Sequence, residues 1–580
     1  MNRTSRALIS VAVGATLAAA SFAAVAADPG RTTTNRSFPT GSVIFFHPDG
    51  AGANHWGAAR LYFHGPDGLL NWDQLPNLAL YRGHMANSIV GSSNGGATTH
   101  AFGYRVDALG SFGRDGDGAA ARAIRSLSGF DGSILREAAN QGVPVGIVND
   151  GHVGEPGTGA FLAEVGNRNN WQEITRQIIQ GRPGLEATDQ EPWVIFGGGE
   201  ADVRPQGTTL VHRNHNGERG SAGASNPLSS LRTDALDLEA DWQDNVDGDT
   251  SNAIGTDPSI VIKTRAQFEE LRAALRANPN YAPRVLGLFA YQDLFNDRPE
   301  EVLITDGKVT GDPVNFVGPN GEAVPTPGFR PKSGRIVLFG DVAGQPGHNP
   351  PTFAEMTEVA IEILDRAAKQ QAQAQRLRGP ARFMLVAEPE SVDNFGNNDN
   401  AMGTLQALGD ADRAIGKARA YLARNPRTLI LTAADSDGGG LQVAGPTANT
   451  IVTGAQSPRI VNGNFMFGFG VNPTGTPPAV VNVPDGVEGR GTPDSPATST
   501  AMFVAEPDAD GNRLAFAITW PGTGDYSGGI VSRAAGLNAG LLNSVFSARF
   551  DNIDVYRLMH ATMFGRLPNY PANPGDAPSR

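Results

Sequence analysis

The sequence predicts an α/β fold in which a large, mostly parallel sheet lies between layers of helices. Two observations predict it. Short apolar runs alternate with helical patterns along the chain, which is typical of parallel strands that are covered on both faces. Acidic and small residues follow several of these runs, as expected where ligands bind beyond the carboxyl ends of parallel strands. Together they predict a three-layer α/β/α sandwich.

The elements of this sandwich can be placed in order. The short apolar runs predict core strands at Ser42–Phe46, Val143–Val148, Pro192–Phe196, Val285–Ala290, Phe383–Val386, Thr428–Thr432 and Leu514–Ile518. The helical patterns between them predict helices at Ile134–Gln141, Trp171–Gln180, Arg265–Arg276, Thr352–Gln375 and Asp410–Arg424. The 73 glycines and 40 prolines predict many loops between these elements.

Composition narrows the class of protein. With 580 residues, 40% of them hydrophobic and 18% charged, the chain suits one large domain with insertions or two domains. The net charge of −13, with no basic stripe, argues against a nucleic-acid partner or an anionic membrane surface. An acidic balance is compatible with binding cations.

The first residues have the pattern of a targeting segment. Arg3 and Arg6 precede the apolar run Ala7–Val25, and small residues suited to cleavage come just before Asp28. We therefore predict a signal peptide at residues 1–27 and an exported mature protein, periplasmic or extracellular. Apart from this run, the sequence predicts no membrane span. With no cysteine, the chain has neither disulfides nor thiolate metal ligands.

A run of small and hydroxylated residues, residues 91–103, contains a candidate nucleophile. The run suits a turn that opens into a helix, where free N–H groups and the helix dipole favour an anion. Ser93 at such a helix start can attack a phosphorus or acyl centre, because the helix terminus stabilises the negative charge that develops beside it.

Carboxylates follow three of the predicted strands. Asp49 comes after the first, Glu388 and Asp393 after the fifth, and Asp435 after the sixth. Converging carboxylates repel one another and become tolerable mainly when a cation lies between them. Their joint placement predicts a metal site at one edge of the sheet.

From about Ser42 to Leu541 the chain resembles the alkaline phosphatase family. The motifs that carry the resemblance are Asp49-Gly50-Ala51-Gly52, the spacing of Ser93, Thr98 and Gly103, the segment ending at Arg168, the pair Glu388 and Asp393, and Asp435. The resemblance implies that Ser93 is the nucleophile, that Arg168 binds phosphate and that Asp49 bridges two metal ions. It places Glu388 in a magnesium site and Asp393 in a zinc site, matches Asp435 to the Asp of the family's Thr-Ala-Asp-His motif, and also implies a homodimer.

The chain departs from this family at its metal ligands. The positions of the zinc-binding histidines are occupied by Asn397, Ser436 and Gly522. The magnesium-site threonine falls on Gly157, and Glu155 lies where the family varies between Asp and His. Oxygen donors remain at Asp49, Glu388, Asp393, Asn397, Asp435 and Ser436, and Glu155 is a further predicted metal ligand. Such a set favours calcium or magnesium over zinc.

The missing donor at position 522 has several candidate replacements. They are Asp399, Asp437 and Asp525, or a displaced histidine, His47 or His152.

We therefore predict an exported, metal-dependent phosphohydrolase with a catalytic domain at residues 28–580 and an insertion at about 201–283. It would cleave small-molecule phosphate monoesters through a phosphoserine intermediate and release inorganic phosphate. Two alternatives stay open at this point. One is an inactive relative that binds phosphate or metal, and the other is a phosphodiesterase or sulfatase of the same superfamily.

Overall fold

The structure is a computed structural model of the chain. It describes residues 37–182, 191–212, 229–244, 248, 251–295, 350–374, 379–444, 503–546 and 549–580, and short strands at 313–317, 323–329, 451–452 and 487–488. The predicted signal peptide at residues 1–27 lies outside the described residues. Within them, no helix has the length and apolar character that a membrane crossing requires.

A ten-stranded sheet forms the centre of the protein. Its strands in chain order, β1 to β10, are Ser42–Phe46, Asn77–Arg82, Val145–His152, Val194–Gly198, Ser259–Ile262, Arg284–Leu288, Met384–Glu388, Thr428–Thr432, Val531–Gly536 and Phe550–Asp551. They lie in the order β10-β2-β9-β8-β1-β7-β3-β4-β6-β5. Strand β9 is antiparallel to both neighbours, and all the other pairs are parallel.

Twelve α-helices among the described residues pack around this sheet or connect its strands. In chain order, α1 to α12, they are Ala53–His64, Ser93–Phe102, Ile134–Asn140, Pro156–Gly159, Trp171–Gln180, Leu238–Asp244, Arg265–Ala277, Phe353–Ala374, Ser391–Gly396, Ala401–Arg424, Leu541–Ser544 and Asn552–Phe564. Helices α8, α10 and α1 form one contacting group, and α12, α2 and α3 form another. Strands β1, β7 and β8 are buried along their whole length, as helices on both faces require. The predicted α/β sandwich is thus confirmed.

One predicted core strand belongs elsewhere. Leu514–Ile518 falls in the strand Arg513–Thr519, which is part of a separate five-stranded sheet. Phe516 and Ile518 bury their side chains in a second, smaller core against Tyr62 of α1. An apolar run predicts a strand but not the sheet that it joins.

The stretch predicted as an insertion contributes to the main sheet. Strand β5 and helix α7 both lie within residues 201–283, and β5 forms the edge of the sheet beside β6. The opposite side of the sheet, β9, β2 and β10, was not predicted from the sequence. In β2 buried and exposed residues alternate, so it lacks the continuous apolar run of a central parallel strand.

Candidate functional site

Carboxylates follow the carboxyl ends of three adjacent strands and lie at one edge of the sheet. Because β8, β1 and β7 are parallel neighbours, the residues at their carboxyl ends, Asp435, Asp49 and Glu388, come together. Gly50 makes the turn after β1 with a φ of 64°, and its N–H lies 3.5 Å from Asp435 Oδ1. A Cβ on this glycine would lie only 2.4 Å from Asp393 Oδ1, so the close approach requires glycine.

Two groups of potential ligands share Asp49. The first, which we call the Asp435 group, comprises His47, Asp49 and Asp435. The second, which we call the Glu390 group, comprises Asp49, Glu388 and Glu390. In each group the ligand atoms lie within 4.8 Å of one another, and all the residues are buried. This arrangement could hold two cations with Asp49 between them.

The carboxylates of these groups lack the partners that buried charges normally have. Neither carboxylate oxygen of Asp49 receives a hydrogen bond from the described residues, and the same holds for one oxygen each of Glu390, Asp393 and Asp435. Burial, followed by the charges of Asp435 and Asp393, raises the pKa of Asp49 well above its usual range. Burial also raises the pKa values of Glu390 and Asp393 well above theirs. Bound divalent cations would satisfy these oxygens, so the residues present fit such ions.

Glu388 is the most firmly oriented of the carboxylates. Its Oε2 accepts hydrogen bonds from the Asn149 side chain at 2.5 Å and from the Thr158 backbone at 2.7 Å, and its Oε1 accepts one from the Gly157 backbone at 2.8 Å. Burial raises the pKa of Glu388 to about 8, although its hydrogen bonds oppose the shift. These donors fix the carboxylate toward Asp49.

A third group of oxygens lies next to Asp435. The amide nitrogen of Asn397 donates to Asp393 Oδ2 at 2.8 Å and to Asp525 Oδ1 at 3.3 Å. The amide oxygen of Asn397 instead accepts from the Gly439 N–H at 2.9 Å. Asn397 was predicted as an oxygen ligand, but in the structure its amide nitrogen faces two carboxylates and donates to both. Asp525, one of the proposed replacements, does lie in the site.

Ser93 lies at the start of α2, as predicted. It is the first helical residue after the N-cap Ser92, whose hydroxyl accepts from the Gly95 N–H at 3.2 Å, and only 6% of Ser93 is exposed. Gly91 and Gly96 flank it and pack against Asp435, since a Cβ on either would lie within 2.4 Å of that residue. Because neither glycine has a side chain, the start of α2 can pack directly against Asp435.

Arg168 contacts both helix α2, which carries Ser93, and the carboxylate of Glu155. Its guanidinium donates to Asn94 Oδ1, next to Ser93, and to Glu155 Oε2, both at 3.5 Å. Burial lowers the pKa of Arg168, but Glu155, Glu390, Asp49 and Asp393 together outweigh burial and raise it. The side chain keeps 37% exposure, so a ligand can reach it. Glu155, predicted near the metal, pairs with this arginine.

The remaining candidates divide into those inside and those outside the site. Ser436 is buried directly after Asp435. His152 pairs with Asp202 at 3.1 Å and is engaged outside the site. Asp437 lies 3.2 Å from His55 Nδ1, but its Oδ1 is buried and receives no hydrogen bond from the described residues. Sequence reasoning missed Glu390, although it lies in the same acidic run as Glu388. It named His47 only as a displaced alternative.

The buried carboxylates predict how the metal-free protein responds to pH. Between about pH 4.5 and about 8, native Glu388 keeps a proton that the unfolded chain releases. The resulting stabilisation is full below the unfolded pKa and is lost as the pH rises through the folded one. We therefore expect the Tm of chelator-treated protein to fall between about pH 5 and pH 8.5 in calorimetry, and added metal to restore it most at the higher pH. A metal-free Tm that rises over this range would contradict this reading of the site.

Comparisons with known proteins identify the family of the chain. The family model described as alkaline phosphatase matches residues 41–461. An alkaline phosphatase from Gadus morhua is 24% identical over 418 residues, 68% of each chain. A streptomycin-6-phosphate phosphatase from Streptomyces griseus is 27% identical over 487 residues, 82% of this chain and 92% of that protein. The structure of Thermus thermophilus alkaline phosphatase covers 94% of this chain and 95% of its own, with a TM-score of 0.52 at 18% identity. Because the family model spans more than half of it, the chain belongs to the alkaline phosphatase family.

Proposed function

We propose that this protein is an exported, metal-dependent phosphomonoesterase that works through a phosphoserine intermediate. The observation that carries the proposal is the position of Ser93, at the start of a helix that packs against Asp435 and next to the residue that Arg168 contacts. Family membership supports a phosphoesterase, and the unpartnered carboxylates support metal dependence.

In this proposal each residue has a defined task. The Ser93 hydroxyl attacks phosphorus in line with the leaving oxygen, and water later hydrolyses the phosphoserine and releases inorganic phosphate. The N–H groups of the first turn of α2 favour the negative charge that develops there. Arg168 binds two nonbridging oxygens with its guanidinium. A diester has an esterified oxygen that accepts this contact less well, so the arrangement favours monoesters.

The buried carboxylates would hold the metal ions. The Asp435 group (His47, Asp49 and Asp435) would hold one ion and the Glu390 group (Asp49, Glu388 and Glu390) the other, with Asp393 alongside. When bound, divalent cations supply positive charge that lowers the pKa of the serine hydroxyl and neutralises charge on the phosphate and the leaving oxygen. Because nearly all the donors are oxygens, we propose calcium or magnesium as the working ions, with zinc not required.

Restoring single metals to chelated protein tests the function directly. We expect hydrolysis of a chromogenic phosphate monoester to disappear after chelation and to return with calcium or magnesium, without zinc. Manganese and zinc are added in parallel, with the metal content of each sample measured. Recovery with zinc alone would contradict the metal assignment. Phosphate binding without hydrolysis under every metal would instead indicate an inactive binding relative.

Replacing Arg168 should weaken recognition of phosphate. Losing a charge-assisted pair of this kind costs about 2–5 kcal/mol, and the one-third exposure of Arg168 places the loss near the lower end. We therefore expect Arg168→Ala to weaken inhibition by inorganic phosphate about 30-fold and to raise KM for monoesters. Arg168→Lys keeps the charge without the two-pronged contact and should recover only part of the loss. Unchanged inhibition in both variants would place Arg168 outside the phosphate site.

The N-terminal segment and the family resemblance support the rest of the proposal. Arg3, Arg6 and the apolar run at residues 7–25 support export, which leaves a mature chain from about Asp28. The natural substrates are proposed to be small phosphate esters, in keeping with the acidic net charge, which disfavours nucleic acid. A homodimer is proposed on the family resemblance.

A further inference from the structure

One buried histidine of the site has unused hydrogen-bonding capacity. His47 lies directly after β1, its side chain is fully buried, and neither ring nitrogen has a hydrogen-bond partner among the described residues. Leaving polar atoms buried without partners is unfavourable and calls for an explanation.

Other buried histidines of the described chain show what a purely structural role looks like. Each uses at least one ring nitrogen in a hydrogen bond: to the hydroxyl of Tyr81, to Asp202, to a backbone carbonyl or to a backbone N–H. These histidines are His100, His152, His212, His560 and His55. His47 differs from all five, so packing alone does not account for an imidazole at this position.

The ring of His47 lies among the carboxylates. One of its nitrogens is within 4.8 Å of carboxylate oxygens of Asp49 and Asp435, and Nδ1 is 3.9 Å from Glu388 Oε1. The last distance exceeds that of a hydrogen bond, so Glu388 does not satisfy Nδ1. Edge contacts with Phe45 and His100, at centroid distances of 6.0 and 5.2 Å, hold the ring in this orientation.

Gly157 provides the space that the imidazole occupies. A Cβ at this position would lie 2.5 Å from His47 Nδ1 and 2.2 Å from Glu388 Oε1, so any side chain would displace one of them. Gly157 and His47 therefore form a matched pair, in which the missing side chain of one makes room for the ring of the other.

We propose that His47 is a nitrogen ligand of the cation held by Asp49 and Asp435. The inference rests on the metal centre of the proposed function, but not on turnover. It makes the two groups unequal, because an imidazole suits transition metals whereas the Glu390 group offers oxygen alone. We expect His47 to raise the affinity of the Asp435 group for manganese and cobalt, while the Glu390 group keeps a hard cation.

Pulsed electron paramagnetic resonance on manganese-loaded protein tests this assignment without relying on activity. We expect modulation from a directly bound ¹⁴N nucleus in the wild type and its loss in His47→Gln. His152→Gln, a buried histidine paired with Asp202, is the matched control and should keep the signal. Cobalt affinity should fall at least about tenfold in His47→Gln only.

A wild-type spectrum without nitrogen coupling would overturn the proposal, and so would coupling that persists in folded His47→Gln. If His47→Gln does not fold, the wild-type spectrum alone decides: nitrogen coupling supports the proposal, and its absence rejects it. Phosphatase activity measured on the same samples separates the two ideas. Nitrogen coupling without turnover would keep the ligand assignment and reject the phosphatase. Turnover without nitrogen coupling would keep the phosphatase and reject His47 as a ligand.

Discussion

Ser93→Ala should lower kcat for phosphate monoesters by at least about 10⁴-fold while leaving the binding of inorganic phosphate largely intact. The serine supplies the atom that forms the covalent bond, whereas Arg168 and the metal ligands that hold phosphate stay in place. Stopped turnover of a ³²P-labelled substrate, followed by peptide mapping, should find label on Ser93 in the wild type and none in the variant. The fold should be unaffected, because the described structure gives Ser93 no side-chain hydrogen bond to lose.

Two neighbouring hydroxyls provide the controls for this experiment. Ser92 caps α2 and Thr98 accepts from the Gly113 N–H at 2.9 Å, so both have structural tasks. Ser92→Ala should cost about 1 kcal/mol of stability and yet still form the labelled intermediate. Full activity in Ser93→Ala, or label on Ser92 or Thr98, would transfer the nucleophile to another residue and refute the assignment of Ser93.

Asp49→Asn should remove metal binding from both groups at once and lower kcat by about 10³-fold or more. Asp49 belongs to the Asp435 group and to the Glu390 group, and neither of its oxygens has another partner in the described structure. Asparagine keeps the shape but removes a charge that is costly to bury without a cation. We therefore expect chelated Asp49→Asn to melt at or above the Tm of the chelated wild type, with no further rise when metal is added.

An unchanged or higher Tm without metal, together with no rise in Tm when metal is added, distinguishes a metal ligand from a structural aspartate. Asp412 is the matched control, because it is also buried but accepts hydrogen bonds from Trp72 and Asn71. Asp412→Asn should lower the Tm with and without metal and leave the metal content unchanged. A metal-dependent rise in Tm that survives in Asp49→Asn would exclude Asp49 as the shared ligand.

The sequence contained enough information to bring the main carboxylates together. Strands β1, β7 and β8 are continuous apolar runs, which are typical of parallel strands covered on both faces. Once they are parallel, whatever follows each strand meets at one edge. Asp49, Glu388 and Asp435 were therefore predicted as neighbours without knowledge of the strand order.

The details of the site depend on side-chain directions, which spacing does not reveal. Glu390 is two residues from Glu388, and its participation follows from how the chain turns into α9. Asn397 was predicted to offer oxygen because its residue type permits it, but the carboxylates of Asp393 and Asp525 decide which end of the amide faces them. His47 looked like an ordinary core residue until the pairing of every other described buried histidine was known.

The large separation in sequence between the site residues determines when the protein can acquire its ions. Gly50 and Asp435, which are in contact, are 385 positions apart in the chain. Contacts of such long range form late, after most of the loop-closure entropy has been lost. Neither ligand group exists until β1, β7 and β8 have aligned, so an ion cannot guide the early steps of folding. Under the proposed export, a chain that crosses the membrane before folding would take up its ions outside the cytoplasm, and the ion supply there would help the ligands to select the metal.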